Sequence, residues 1–194
     1  MSIAVAVRSQ GQIVIAADSK RTFGSGAVPE ANLKDVKIRK VGSAYIATTG
    51  WGIYSNILDD YLAGPKQPRL TSQQRIFAFF RTFWKDLHER YSFVNDQRHD
   101  DESPFADLDA SFLLINSSGI YAVACDMSVT PFEQYYAIGS GAGYALGAMH
   151  AVYRKGVDAM KVAHSGVDAA KDLDIYCGGI TVAHSLSERK GRGR

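Results

Sequence analysis

Two short apolar segments near the start of the sequence constrain the fold most. Residues 2–8 and 12–18 are rich in Ala, Val and Ile and are separated by the turn-like residues 9–11. Such a pattern predicts a β-hairpin. The second segment ends at Asp18, a carboxylate in a run of small residues, so the hairpin delivers an acidic group to its own open end.

Ser2 stands at the head of the first predicted strand. If Met1 is removed, Ser2 carries a hydroxyl and a free α-amine, and the amine has a pKa near roughly 8. A hydroxyl beside an amine that is partly neutral at physiological pH is the minimum that an N-terminal nucleophile needs. The alternative is that Ser2 is an ordinary residue before a strand.

The rest of the chain alternates blocks of strands with pairs of helices. The pattern predicts strands at 37–41 and 44–49, helices at about 53–62 and from a cap-like start at 71–74 to about 91, strands at 110–116, 120–125 and 135–138, helices at about 142–155 and 157–172, and a last strand pair at 174–184. Segregated blocks of this kind favour an α+β domain with mainly antiparallel sheets. We predict a single domain over residues 1–186, followed by a flexible basic tail over residues 187–194.

Composition excludes several classes of protein. The 194 residues are 46% hydrophobic and 22% charged, which is typical of a globular domain, and the net charge of +2 is too small to favour nucleic acid. No apolar run reaches the roughly 18 residues that span a bilayer, and no signal peptide is visible. Cys125 and Cys177 lack paired spacing, so we expect reduced cysteines in a cytoplasmic protein.

Two motifs are weak candidates for cofactor or metal sites. The glycine-rich residues 139–145 precede a predicted helix, but a dinucleotide fold needs a parallel strand after that helix, whereas Gly156 and another helix follow. The five histidines show no metal-ligand spacing, so no metal and no cofactor are predicted.

Residues 95–109 form a polar acidic loop, which is either a functional lining or a solvated excursion.

Several segments together resemble the proteasome β-type subunits. They are Ser2 at the head of a strand, Ala16-Ala17-Asp18-Ser19-Lys20, Lys37 before a strand, Thr49-Gly50 before a helix, Ile138-Gly139-Ser140-Gly141 and Asp174-Ile175-Tyr176-Cys177-Gly178-Gly179. The resemblance runs from residue 2 to about residue 184. The sequence is most similar to the bacterial HslV group and its betaproteobacterial proteasome-homologue offshoot, some members of which use Ser as the nucleophile.

The resemblance implies a four-layer αββα N-terminal nucleophile hydrolase sandwich, with two sheets between helix pairs. It also implies homo-oligomeric rings of six or seven subunits, stacked in pairs around internal active sites. The partners implied are polypeptide substrates, with an AAA+ unfoldase left open, and neither nucleic acid nor a membrane is expected.

The resemblance assigns a role to each matching residue. Ser2 attacks the peptide carbonyl, Lys37 lowers the pKa of the nucleophile, and Asp18 neutralises Lys37. The Gly50 N–H stabilises the oxyanion. Ser140 and Asp174 orient the α-amine, and Cys177 stands where many relatives have a hydroxyl residue that does the same. The residues expected to line the substrate pocket are Lys20, Thr22, Thr48 and Gly52.

The site lysine has two candidates. The distance along the chain from Asp18 matches Lys34, whereas the strand pattern that follows matches Lys37. We choose Lys37, because strand register constrains a site more tightly than loop length does.

The function expected from these residues is a self-compartmentalising endopeptidase with an N-terminal Ser nucleophile. One alternative is a non-catalytic ring subunit on the same fold, although that class normally carries extra residues and a helix before the first strand. The other alternative is a small-molecule amidase of the N-terminal nucleophile group, which a monomer or dimer with an open site would favour.

Overall fold

The computed structural model describes residues 2–23, 26–34, 36–64, 67–91 and 109–189. The described elements are β1 (Ala4–Ser9), β2 (Gln12–Asp18), β3 (Thr22–Phe23), β4 (Gly26–Ala27), a 3₁₀ turn (Glu30–Asn32), β5 (Ile38–Val41), β6 (Ala44–Gly50), α1 (Gly52–Leu62), α2 (Gln73–Arg90), β7 (Ala110–Asn116), β8 (Gly119–Val123), β9 (Val129–Phe132), β10 (Tyr135–Ile138), α3 (Ala142–Val152), α4 (Ala159–Leu173) and β11 (Thr181–Ser187).

Two antiparallel sheets form the centre of the fold. One has the strand order β10-β1-β2-β11 and the other has the order β5-β6-β7-β8-β9, while β3 and β4 pair separately. Helices α1 and α2 pack on the five-stranded sheet, and α3 and α4 pack on the four-stranded sheet. The predicted α+β sandwich with two sheets between helix pairs is therefore confirmed.

Side-chain alternation along the strands divides the apolar residues into three layers. In β1 and the residue before it, Ile3, Val5 and Val7 lie in the layer shared with α3 and α4, whereas Ala4 and Ala6 face the other sheet. In β7, Phe112 and Leu114 contact the α1 and α2 layer, whereas Leu113 and Ile115 lie between the sheets. Both faces of these strands are buried, which explains why they read as apolar runs in the sequence.

Two of the four described helices begin at a side-chain cap. Ser72 caps α2, because its Oγ accepts the Arg75 N–H at 3.4 Å, and Asp158 caps α4 by accepting the Met160 N–H at 2.9 Å. On α2, Phe80 and Phe83 are fully buried. Both rings contact Phe112 of β7, so they pack α2 against its sheet.

The structure differs from the sequence predictions in several places. Strand β9 was not predicted, because Pro131 weakens a strand pattern and is tolerated here on the edge strand. Residues 174–180 form turns rather than the first member of a strand pair, with Gly179 at φ +79°. Strand β11 then continues to Ser187.

Part of the predicted tail is hydrogen-bonded to the turns of two hairpins. The Glu188 N–H donates to Gly11 O at 2.8 Å, and the Arg189 N–H donates to Ser117 O at 2.7 Å. Order therefore extends at least three residues past the domain boundary predicted at residue 186. Apart from Asp109, the acidic residues of the loop predicted at 95–109 lie outside the described residues. Among the described helices, none is both long and apolar enough to cross a bilayer.

Candidate active site

Ser2 is buried, with 3% of its surface exposed, and its peptide group is enclosed by the loop that follows β10. The Gly141 N–H and the Ser140 hydroxyl both donate to Ser2 O at 3.4 Å. Gly139 has φ +104°, and a Cβ at this position would lie 2.2 Å from Ser2 O. Glycine is therefore required at 139 for the loop to approach the backbone of Ser2.

The Asp18 carboxylate accepts hydrogen bonds from three donors, one of which is the N–H of the residue after Ser2. Oδ1 accepts the Lys37 ammonium at 2.5 Å and the Ile3 N–H at 3.1 Å, and Oδ2 accepts the Gly178 N–H at 3.0 Å. The side chains of Lys37 and Asp18 are 3% and 0% exposed. A buried charge is stable only when it is paired and hydrogen-bonded, and Asp18 meets both conditions.

Burial lowers the pKa of Lys37, and the opposing attraction of Asp18 does not fully restore it. The ammonium is thus held beside Asp18 at an energetic cost, which is a feature common at functional sites. Lys34, the other candidate, is exposed. Lys37 is thus the candidate that contacts Asp18, and its role as the site lysine stays a prediction.

A second polar cluster joins the 139–141 loop to residues 174–177. Asp174 Oδ1 accepts the Tyr176 N–H at 3.0 Å, and Oδ2 accepts the Cys177 thiol at 3.4 Å. Burial acts to raise the pKa of Asp174, but hydrogen bonds from Ser140, the Tyr176 N–H and Cys177 together hold it below its usual range. Asp174 is therefore an anion at neutral pH.

Cys177 is a hydrogen-bond donor in this cluster and not a nucleophile. Burial, followed by the negative charges of Asp18 and Asp174, raises the pKa of Cys177 to about 12. Because only the thiolate is reactive, the thiol stays protonated and inert at neutral pH.

Gly50 ends β6 on the other side of the site. It has φ +112°, and a Cβ there would lie 2.1 Å from Asp109 O. Successive N–H groups of a strand point to opposite neighbours. The Thr48 N–H donates to Lys37 O on the β5 side at 3.1 Å, and the Trp51 N–H donates to Asp109 O on the β7 side at 3.1 Å. By this alternation the Gly50 N–H points to the β5 side. Strand β5 itself begins only at Ile38.

The predicted substrate residues occupy different environments. Lys20 Nζ donates to Ile175 O at 2.5 Å, and the Lys20 N–H donates to Gly178 O at 3.1 Å. Thr22 is half-buried and Gly52 is exposed. Thr48 is buried, and its hydroxyl has no hydrogen-bond partner among the described residues. Their contacts with substrate stay predictions.

The structure brings together groups that the sequence did not single out. The Ile3 N–H and the Gly178 N–H bind Asp18, and the Ser19 hydroxyl accepts the Ile180 N–H at 2.9 Å. These are mostly backbone groups, which leave no residue-type signal in a sequence. Within the described ranges, no group of three or more His, Cys, Asp or Glu residues is arranged to hold a metal ion.

Comparison with solved structures identifies proteins that are similar to this chain. No model of a known protein family matches the sequence. The Thiobacillus denitrificans BPH is 35% identical, with a TM-score of 0.87 and coverage of 96% of this chain and 98% of that one. The same protein in complex with epoxomicin matches at 34% identity and a TM-score of 0.87, over 97% of this chain and 100% of that one.

A more distant structure shares the fold. The eukaryotic HslV from Trypanosoma brucei is 17% identical, with a TM-score of 0.68 over 96% of this chain and 99% of that one. The fold is that of proteasome-type peptidases, as the sequence resemblance implied. With 35% identity to BPH over nearly the full length of both chains, the protein belongs to the proteasome β-type/HslV family of N-terminal nucleophile hydrolases.

Proposed function

We propose that the protein is an endopeptidase that uses Ser2 as its nucleophile after removal of Met1. The observation that carries the proposal is the buried Lys37–Asp18 ion pair, which is bound through Asp18 Oδ1 to the Ile3 N–H, the peptide group that Ser2 and Ile3 share. A buried cation held beside a serine is the arrangement expected where a hydroxyl must lose its proton.

The reaction begins with attack of Ser2 Oγ on a substrate carbonyl carbon. As the O–C bond forms, the hydroxyl proton moves to the α-amine of Ser2, which acts as the general base. The Lys37 charge stabilises the developing alkoxide, and the Gly50 N–H donates to the oxyanion. The proton then passes to the leaving nitrogen as the C–N bond breaks, and water hydrolyses the resulting ester.

The second polar cluster prepares the α-amine for its role as a base. Asp174 is anionic and lies with Ser140 and Cys177 on one side of Ser2. We infer that Asp174 and Ser140 accept and orient the α-amine protons. The Cys177 thiol then holds Asp174, as a hydroxyl would, with a weaker hydrogen bond.

We also propose the finer features that the resemblance implies. Substrate side chains contact Lys20, Thr22, Thr48 and Gly52, and the subunits assemble into stacked homo-oligomeric rings of six or seven. The epoxomicin complex of BPH supports an active peptidase site in a relative. Cys125 and Cys177 form no disulfide, which fits the cytoplasm as the proposed location.

The decisive experiment is intact mass spectrometry before and after incubation with a peptide epoxyketone. This group reacts with a hydroxyl and an α-amine on the same residue, so it reports both halves of the proposed nucleophile. We expect a species that lacks Met1 and gains one inhibitor per chain, and we expect Ser2→Ala to abolish the adduct.

Two results would redirect the proposal. A chain that retains Met1 or forms no adduct would favour a non-catalytic ring subunit. An adduct on a chain whose native mass is that of a monomer or dimer, with hydrolysis of small amides only, would favour the amidase alternative.

A further inference from the structure

A bidentate ion pair joins β5 to α1 on the face of the five-stranded sheet that the helices cover. Arg39 Nη2 donates to Asp59 Oδ2 at 2.7 Å, and Arg39 Nε donates to Asp59 Oδ1. The Arg39 side chain is 7% exposed, whereas that of Asp59 is 53% exposed. The guanidinium is therefore a buried charge whose carboxylate partner comes from the helix.

The two joined elements are those that carry opposite sides of the proposed site. Strand β5 starts immediately after Lys37, and α1 starts two residues after Gly50. Asp59 is seven residues into α1, which places it about 10 Å along the helix axis from Gly52. A displacement of α1 would therefore be transmitted through Trp51 to the Gly50 peptide group.

The N-terminus of α1 has no side-chain cap. Its N-cap residue is Trp51, whose side chain makes no capping hydrogen bond, and α1 has no acidic residue in its first turn. The Trp51 N–H donates to Asp109 O, but this bond fixes one point and not the direction of the helix. The planar fork between Arg39 and Asp59 supplies an orientation that a single contact cannot.

We propose that Arg39 and Asp59 form a positioning pair, which sets α1 against β5 and thereby aims the Gly50 N–H at the oxyanion. Neither residue contacts substrate in this proposal, so neither is catalytic. The proposal rests on the proposed function, because it assigns the pair to the oxyanion side of that same site. If Ser2 forms no ester with a substrate carbonyl, the pair has no oxyanion donor to position.

The test compares Asp59→Asn with Asp60→Asn. Both variants remove one negative charge from α1, but Asp60 contacts Tyr91 and Arg90 at the end of α2 and not β5. A misplacement of a donor by about 1 Å costs up to about 100-fold in rate. For Asp59→Asn we expect a fall of about 10-fold or more in kcat and in affinity for a peptide boronate, whose tetrahedral adduct places an oxygen near Gly50.

The positioning role predicts that other readouts stay constant. In Asp59→Asn, KM and the pH profile should match the wild type, because Ser2 and Lys37 are untouched. Asp60→Asn should match the wild type in every readout. Asp59→Glu, which keeps the charge on a longer side chain, should recover part of kcat and provides a second variant if Asp59→Asn folds poorly.

Three outcomes would overturn the proposal. The first is an Asp59→Asn protein that keeps wild-type kcat in its folded fraction. The second is a loss of kcat in which boronate affinity is retained. The third is a shifted pH profile, which would assign the effect to Lys37. A wild-type protein that forms no epoxyketone adduct would instead refute the proposed function, since that failure does not involve Asp59.

Discussion

Replacing Asp18 with Asn tests the central ion pair of the site. The Lys37 ammonium would remain 3% exposed without a counter-ion, and breaking a buried pair in this way costs about 3–5 kcal/mol. In a chain of 194 residues, each kcal/mol lowers Tm by about 2–4 °C, so we expect a fall of about 6–20 °C. The Asn amide group adds to the loss, because its N–H₂ would face one of the three donors that now bind Asp18.

The assay is thermal unfolding followed by circular dichroism in a Ser2→Ala background, which removes autolysis. Glu89→Gln is the matched control, because it breaks the exposed Lys85–Glu89 pair and should cost less than about 1 kcal/mol. Adding Lys37→Met to Asp18→Asn removes the orphaned cation and should recover part of Tm without restoring activity. An Asp18→Asn protein that melts within about 2 °C of its parent would refute the reasoning.

Three further predictions concern catalysis. Ser2→Thr should keep or raise turnover, because the added methyl limits side-chain rotation; a strong loss in peptide hydrolysis would argue against this site. Burial lowers the pKa of Lys37 below the ordinary lysine value of 10.5, so the ammonium, and with it kcat/KM, should be lost before the pH reaches 10.5. A value of kcat/KM that persists above pH 10.5 would contradict this role. Gly139→Ala should lower epoxyketone labelling at least about 10-fold, because its Cβ would lie 2.2 Å from Ser2 O, with a strain of about 1–3 kcal/mol at positive φ. Gly147→Ala, where a Cβ meets nothing within 4 Å, is the control and should label normally.

The general fold could be predicted from the sequence because its strands and helices have strong local patterns. The two apolar segments that form β1 and β2 and the capped start of α2 occur where the pattern predicted them. The apolar layers follow, since alternation along β1 and β7 sorts their side chains to opposite faces. Strand β9 escaped prediction because its pattern is short and contains Pro131.

Only part of the candidate site could be predicted from the sequence. Its segments could be located by resemblance, but the choice between Lys34 and Lys37 depended on how a loop of unknown path returns to the sheet. The turn at 174–180 was misread as a strand, because Gly178 and Gly179 have backbone angles that a residue pattern does not reveal.

The sequence by itself determined the order of elements, the layers and the chemical groups available to the site, because these depend on residue type and on spacing over a few residues. The tertiary structure alone decided which groups meet. Asp18 binds backbone N–H groups 15 residues before it and 160 residues after it, and Arg39 of β5 binds Asp59 of α1. Such contacts depend on strand register, loop path and helix placement, and each of these is fixed by the packing of the whole domain.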